Sequence, residues 1–314
     1  MQIIGLLKNK KNLLEQSKRN QTRDYLLEKY YDDLKLSDEF KQSMIDVFSK
    51  NELDFEKIFI QYNSSDMYKL NTRINYDTII EIAKRFFSEI DSEYANYFKM
   101  RMKDKIGITY GNHPYTNVNS RNIELTSYGD LRDLYTIVHE FSHLFDSKIG
   151  DTSTRNILTE TVAQSIERLL DSFLMRLDIN QLKKYGISKQ QLSQDILERR
   201  ISTFIQRMKS TNDVRKVMPD FGRKAECSGY MLAEIYSTIF SNLGYEEQKI
   251  KLKKLIEFIS KDEFMKSVNL LGVDLSVNNL NRGKILNFVN RSIVNDCIEI
   301  NKIKSKETDV KHIK

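Results

Sequence analysis

The chain has 314 residues, of which 40% are hydrophobic and 30% charged, a composition typical of a soluble globular protein with one large domain or two small ones. Its 50 basic and 44 acidic residues are mostly intermixed, whereas nucleic-acid binders concentrate basic residues on one face or tail, so we expect no nucleic-acid partner. No apolar run approaches the about 20 residues of a membrane-spanning helix, and the first residues lack a secretory charge order, so we expect cytoplasmic location and no membrane partner.

The first hundred residues contain very few residues that interrupt helices. No glycine lies between Gly5 and Gly107, and the first proline is Pro114. Because glycine and proline are the strongest breakers of regular structure, this part of the chain is predicted to be almost entirely helical. The predicted helices cover residues 25–34, 38–48 and 76–103.

Residues 107–129 differ from the helical sequence around them. They contain glycines, a His113-Pro114 pair and several Asn and Thr residues, and residues 122–126 alternate roughly between polar and apolar side chains. This pattern predicts a small β element. A strand in this place is able to pair with an extended peptide through backbone hydrogen bonds, and an ordinary edge strand fits the sequence equally well.

The next predicted helix contains the strongest chemical signal of the chain, a His-Glu-x-x-His pattern over residues 139–143. In a helix, His139 and His143 lie about one turn and roughly 6 Å apart on the same face, close enough for both imidazoles to bind one zinc ion. Glu140 lies beside them, where its carboxylate can hold a water bound to that ion. The pattern therefore predicts a zinc site with a glutamate base.

The same segment also forms a good helix without any metal. Leu134, Val138, Phe141 and Phe145 recur at spacings of 4, 3 and 4 residues and form an apolar stripe that is predicted to pack on the core. The two histidines fall outside this stripe. A lone histidine is usually a surface residue or a core residue whose hydrogen bonds are satisfied. Two histidines and a glutamate at this spacing favour a metal site instead.

A third ligand is expected from a helix over residues 156–177. On its polar side Glu160, Gln164 and Glu167 line up, because seven residues make nearly two turns. A catalytic zinc site needs three protein ligands and leaves the fourth position to water. Glu160 follows His143 by 17 residues, enough for a loop and a returning helix. We assign Glu160 as the third ligand. Glu167 is assigned to hydrogen-bonding a ligand histidine or to holding the two helices together. Either glutamate, taken alone, is more often solvated.

Further helices are predicted after a loop at residues 218–222. One begins near Glu226 and ends at Gly244, a second covers residues 249–259, and a third covers residues 282–300. The two cysteines of the chain, at positions 227 and 297, form neither a disulfide framework nor a Cys-x-x-Cys pair.

Three stretches together resemble the oligoendopeptidase F and thimet oligopeptidase family of zinc metallopeptidases. They are residues 122–143, 159–167 and 229–237, and weaker similarity extends over residues 76–299. Several blocks in this order around the His-Glu-x-x-His pattern are far more specific than the pattern by itself.

The resemblance implies a mainly α gluzincin fold, with a small β-sheet next to the helix that carries the motif and with a deep substrate cleft. It also implies a zinc-dependent endopeptidase that hydrolyses peptides or unstructured protein segments. We accordingly divide the chain into an N-terminal helical region (1–70), a catalytic domain (71–300) and a basic C-terminal tail (301–314). The N-terminal region is much shorter than is usual in that family.

Position by position, the resemblance makes His139, His143 and Glu160 look like the ligands of one Zn²⁺ per chain, and Glu140 like the general base. Among the family's features is a tyrosine that stabilises the tetrahedral intermediate. Tyr230 is the position most similar to it, and Tyr236 is the alternative. The strand at residues 122–126 is similar to the family's substrate edge.

Two other functions fit the departures from the family pattern. No histidine precedes Tyr230 where the family has one, which favours a non-catalytic, metal-stabilised protein that binds a peptide or a partner. The short N-terminal region suits a specialist protease with one protein target. The intact ligand set and base favour the endopeptidase, because a purely structural zinc does not need Glu140.

Overall fold

The computed structural model describes residues 70–303 with several gaps. The described ranges are 70–104, 108–111, 114–117, 121–145, 156–217, 233–261 and short stretches between 266 and 303. The helices predicted at residues 25–34 and 38–48, and the end of the basic tail after residue 303, lie outside these ranges. Within them the protein is mainly helical with one small β-sheet, which confirms the predicted fold class.

The described helices follow the chain in a simple order, and the sheet is inserted between the second and third. They are α1 (Tyr76–Ile90), α2 (Ser92–Asp104), α3 (Leu131–Phe145), α4 (Asn156–Arg176), α5 (Ile179–Lys184), α6 (Lys189–Val217) and α7 (Tyr245–Ser260). A helical segment at residues 233–240 precedes α7, and helical stretches recur between residues 284 and 303. None of the helices in the described ranges combines the length and the apolar character that crossing a lipid bilayer requires.

The single helix predicted over residues 76–103 is wrong, because Asp91 separates α1 from α2. Its backbone is extended (φ −159°, ψ 137°), and its side-chain carboxylate accepts the Glu93 backbone N–H at 2.8 Å. A short acidic side chain competes in this way with the helical hydrogen bonds of the backbone. The sequence contains no glycine or proline at this point, so the interruption was not visible.

The sheet has the strand order β1-β3-β2, with β1 (Ile108–Tyr110), β2 (Tyr115–Asn117) and β3 (Asn122–Leu125). The central strand β3 pairs with β1 in parallel and with β2 in antiparallel orientation. The prediction that residues 122–126 form a substrate edge is therefore wrong for β3, whose backbone is paired on both sides. The alternation of residues reports which face is buried, with Ile123 and Leu125 inside, and not which strand lies at the edge.

The core lies where α1, α3 and α4 meet. Leu134, Val138 and Phe141 of the predicted apolar stripe are fully buried, and the Phe141 ring contacts that of Phe98 with ring centres 4.7 Å apart. Phe145, the fourth member, is partly buried and stacks on Tyr94. The stripe thus holds α3 on the core and leaves its histidine face turned towards α4.

Three hydrogen bonds donated by backbone N–H groups fix the start of α3. Gly129 has a left-handed conformation (φ 70°), and its N–H and that of Tyr128 donate to the Asp133 carboxylate at 2.8 and 2.7 Å. The Leu131 N–H donates to the carbonyl oxygen of Thr72 at 3.0 Å. The bond from Leu131 satisfies one of the first backbone donors of α3, which have no acceptors within the helix itself.

Asp195 on α6 holds the segment that contains Thr72. Its fully buried carboxylate accepts the backbone N–H groups of Asn71 and Thr72 at 2.9 and 2.7 Å. The segment before α1 is thereby bound to α6 on one side and to the beginning of α3 on the other.

Candidate metal centre

Helices α3 and α4 bring the three predicted ligands together. The Nε2 atoms of His139 and His143 lie 3.2 Å apart, and the two oxygens of Glu160 lie 3.6 Å from one imidazole Nε2 each. Among the described residues these three side chains form a group whose ligand atoms all lie within 4.8 Å of one another. Tetrahedral coordination at about 2.0–2.1 Å places two ligand atoms roughly 3.3 Å apart, so the donor set fits a divalent metal ion.

The electrostatics of the cluster also suit a cation. Burial disfavours a charge on His139, but the carboxylates of Glu160 and Glu167 outweigh this effect and raise its pKa to about 9. Burial and the neighbouring His139 lower the pKa of His143 to about 3. In the metal-free protein His139 therefore carries the positive charge that the carboxylates attract. His143 stays neutral and keeps a nitrogen lone pair available to a metal ion.

Glu140 lies beside the cluster and is held by the sheet. Its Oε2 lies 2.6 Å from the hydroxyl of Thr116 on β2, and the same hydroxyl lies 2.9 Å from the Glu140 carbonyl oxygen. A threonine hydroxyl has one proton and donates to one of these oxygens at a time. Burial raises the pKa of the Glu140 carboxyl.

Glu167 lies directly behind His139, in the position expected from the sequence. Its Oε1 lies 2.6 Å from Nδ1 of His139 and accepts the Nδ1–H, so Nε2 is the nitrogen that loses its proton when this imidazole binds a metal ion. Its Oε2 accepts from Arg199 on α6 at 2.5 Å. Burial opposes ionisation of Glu167, but Arg199 and His139 more than compensate and lower its pKa to about 2.

Four further residues of the site were not found from the sequence: Thr116, Tyr135, Asp171 and Arg199. Arg199 lies in a run of polar and charged residues on α6 that is indistinguishable in sequence from a solvated helix face. Tyr135 and Asp171 lie one turn away from His139 and Glu167 on their respective helices. That helical spacing was the one signal that could have pointed to them.

Of the two tyrosines considered for oxyanion stabilisation, one belongs to the described residues. Tyr230 lies outside the described residues. Tyr236 belongs to the helical segment at residues 233–240 and is only 2% exposed, and burial raises the pKa of its hydroxyl. This hydroxyl makes no hydrogen bond with the part of the chain that the structure describes. The role of each tyrosine in oxyanion stabilisation remains a prediction.

Two solved structures are similar to this fold. It resembles the crystal structure of a protein assigned as an oligoendopeptidase F from Bacillus anthracis str. Ames, with a TM-score of 0.56 and 13% sequence identity over 88% of this chain and 60% of that one. It also resembles PZ peptidase A with a bound inhibitor, with a TM-score of 0.56 and 12% identity over 85% of this chain and 61% of that one. The similarity confirms the predicted relationship at the level of the fold.

The protein spans about three fifths of the length of both structures, since 60% and 61% of their chains are covered. No protein-family model matches the sequence. No curated protein matches it either.

Proposed function

We propose that the protein is a zinc-dependent endopeptidase that hydrolyses peptide bonds in peptides or unstructured protein segments. One observation carries the proposal: His139, His143 and Glu160 converge from two helices, with Glu140 next to them on α3. The shared fold of two solved peptidases supports it.

The donor set of two imidazoles and one carboxylate is a known ligand set of catalytic zinc. His139 and His143 would hold the ion from α3 and Glu160 from α4. Zinc in such a site supplies two effects, since it lowers the pKa of water towards about 7 and polarises a carbonyl group. Three protein ligands leave one coordination position for solvent or substrate, as catalysis requires.

Glu140 would act as general base and then as general acid. Its carboxylate takes a proton from the attacking water and passes it to the leaving amine when the peptide bond breaks. The hydroxyl of Thr116, 2.6 Å from Oε2, restricts the orientation of this carboxylate. Tyr230 would donate to the developing oxyanion, and loss of one such donor commonly costs about 2.7–4 kcal/mol in the barrier.

The position of the sheet suggests how the substrate backbone binds. Among the described strands β2 lies at an edge, and its Thr116 contacts the proposed base. An extended peptide that pairs with β2 would lie beside Glu140 without any requirement for particular side chains. We therefore assign the substrate edge to β2 instead of β3.

The proposal is tested with a peptide-library digest, run with and without a chelator, on the wild type and on Glu140→Gln. The wild type should contain about one zinc ion per chain and cleave peptides in a chelator-sensitive manner. Glu140→Gln should retain the zinc and cleave at least about 100-fold more slowly, because it lacks the proton acceptor.

Three results would contradict parts of this proposal. Absence of chelator-sensitive cleavage would support a metal-stabilised binding protein, and a single sequence-bound cut would support a specialist protease. Cleavage by Glu140→Gln at the wild-type rate would show that Glu140 is not the base.

A further inference from the structure

We propose that Arg199 is a positioning residue of the metal centre, which acts through Glu167 to fix the orientation of His139. The inference rests on the proposed function in one respect, because it takes His139 to be a metal ligand. Arg199 is 60 residues from His139 in the sequence and lies on a different helix, α6.

The carboxylate of Glu167 is held from both ends. Its Oε1 lies 2.6 Å from Nδ1 of His139, and its Oε2 lies 2.5 Å from Nη1 of Arg199. Because each oxygen has a partner on the opposite side, rotation of the carboxylate would break both bonds. Arg199 therefore limits the directions in which Glu167 can hold the imidazole ring.

Arg199 is itself anchored one helical turn away from this contact. Its Nη2 lies 3.0 and 3.2 Å from the two oxygens of Asp171, four residues after Glu167 on α4. Its guanidinium carbon lies 3.7 Å from the ring centre of Tyr135, four residues before His139 on α3. The hydroxyl of Tyr135 donates to Asp171 at 2.5 Å, which closes the arrangement. One guanidinium thus connects corresponding turns of the two helices that supply the ligands.

Burial makes this arrangement depend on both the charge and the shape of Arg199. The side chains of Arg199, Glu167 and Asp171 are only 10%, 15% and 9% exposed. Without the cation, two carboxylates on the same face of α4 would be buried next to each other, and burial of unpaired charges is costly. A lysine would preserve the charge but would lack the planar fork and the stacking on Tyr135.

The neighbouring Arg200 provides a matched control. It is also a largely buried arginine of α6, with a side chain 18% exposed, but its Nε lies 3.4 Å from Asp296 and its Nη2 lies 3.1 Å from the Ser241 hydroxyl. These partners belong to other parts of the chain than the ligands. If Arg199 only held the helices together, replacement of Arg200 should therefore lower the zinc affinity as much as replacement of Arg199 does.

The test compares Arg199→Met, Arg199→Lys and Arg200→Met in the full chain. Zinc affinity is measured by competition with a chromophoric chelator, and the folding of each metal-free variant by circular dichroism and thermal unfolding. Arg199→Met should weaken zinc binding about tenfold or more, in line with the loss of residues that orient metal ligands. Arg199→Lys should recover part of this loss, and Arg200→Met should leave zinc affinity within about twofold of the wild type even where it lowers thermal stability.

A double-mutant comparison with Glu167→Gln shows whether Arg199 acts through Glu167. The affinity losses of Arg199→Met and Glu167→Gln should not add, because each change disrupts the same connection. If Arg199→Met fails to fold, Arg199→Lys is compared with Glu167→Gln in the same way.

Several outcomes would overturn the inference while leaving the proposed function intact. They are wild-type zinc affinity in both Arg199 variants, an equal loss in Arg200→Met, or fully additive losses with Glu167→Gln. A wild-type protein that binds no divalent metal would instead remove the proposed function, and this inference with it.

Discussion

Thr116 shows how one side chain outside the helix pair contributes to the site. It lies on β2, and its hydroxyl is 2.6 Å from the carboxylate of Glu140. The contact joins the strand proposed to bind the substrate backbone to the group proposed to move the proton. A displacement of the strand would therefore also change the orientation of the base.

Replacement of Thr116 by Val tests this contact, because valine has nearly the same shape and no hydroxyl. We expect kcat to fall about tenfold, since a hydrogen bond to a charged group contributes about 1.5 kcal/mol or more, and zinc content to stay unchanged. Thr116→Ser should restore most of the activity. Unchanged kcat in Thr116→Val, measured on the same peptide, would show that the hydroxyl does not orient Glu140.

Local spacing in the sequence was enough to predict which side chains lie close together. His139 and His143 are four residues apart on one helix. Glu160 lies on the polar face of the next helix, and its carboxylate lies next to both imidazoles. Arg199 is different, because its partners lie on other helices and its own neighbours in the sequence are ordinary polar and charged residues. Only the tertiary arrangement distinguishes a buried arginine of this kind from a solvated one.

At the scale of elements, α4 is connected to the helical segment at residues 233–240 by a buried ion pair. Nη2 of Arg168 lies 2.5 Å from Oε1 of Glu234, with side chains 3% and 0% exposed. Arg168 also lies 3.7 Å from Asp171, one of the residues around Arg199. The helix that carries Glu160 and Glu167 is thus joined by this pair to the segment at residues 233–240.

Loss of one partner of this pair should be strongly destabilising. Arg168→Met leaves the Glu234 carboxylate buried without its counter-charge, and we expect the free energy of unfolding to fall by about 3–5 kcal/mol in a urea titration. The double variant Arg168→Met/Glu234→Met should lose less free energy of unfolding than Arg168→Met, because it leaves no unpaired carboxylate buried.

The exposed pair Lys184–Glu81 is the control for this experiment. Its side chains are 66% and 48% exposed, so Lys184→Met should change the free energy of unfolding far less than Arg168→Met does. Equal effects of Arg168→Met and Lys184→Met would contradict the assignment of a buried, energetically important pair.

The boundaries of the elements could be predicted only in part. The helix over residues 156–177 agrees with α4, and the β element at residues 107–129 agrees with the three strands. The helix predicted to end at Gly244 stops at Phe240, and Gly244 instead is the N-cap of α7. Strand order was not predictable, because alternation of side chains shows which face of a strand is buried and does not show which strands pair.

For the molecule as a whole, the proposed ion would join α3 to α4 through its three ligands. Anything that binds the folded chain and not the unfolded chain raises the stability of the fold, by about 2.7 kcal/mol when free ligand is 100 times Kd. We expect zinc to raise the Tm of the protein and a chelator to lower it again. His143→Ala should unfold at the same temperature with and without zinc, and a zinc-dependent Tm in that variant would place the ion elsewhere.

The connections of residues 71–72 determine how short a working fragment of this protein can be. A fragment that begins at Ile74 would remove two N–H donors from the buried carboxylate of Asp195 and the carbonyl acceptor from Leu131. The loss would reach the first turn of α3 although no ligand had been deleted. Shortening the chain from its N-terminus should therefore stop before Leu70, whose buried side chain belongs to the same core.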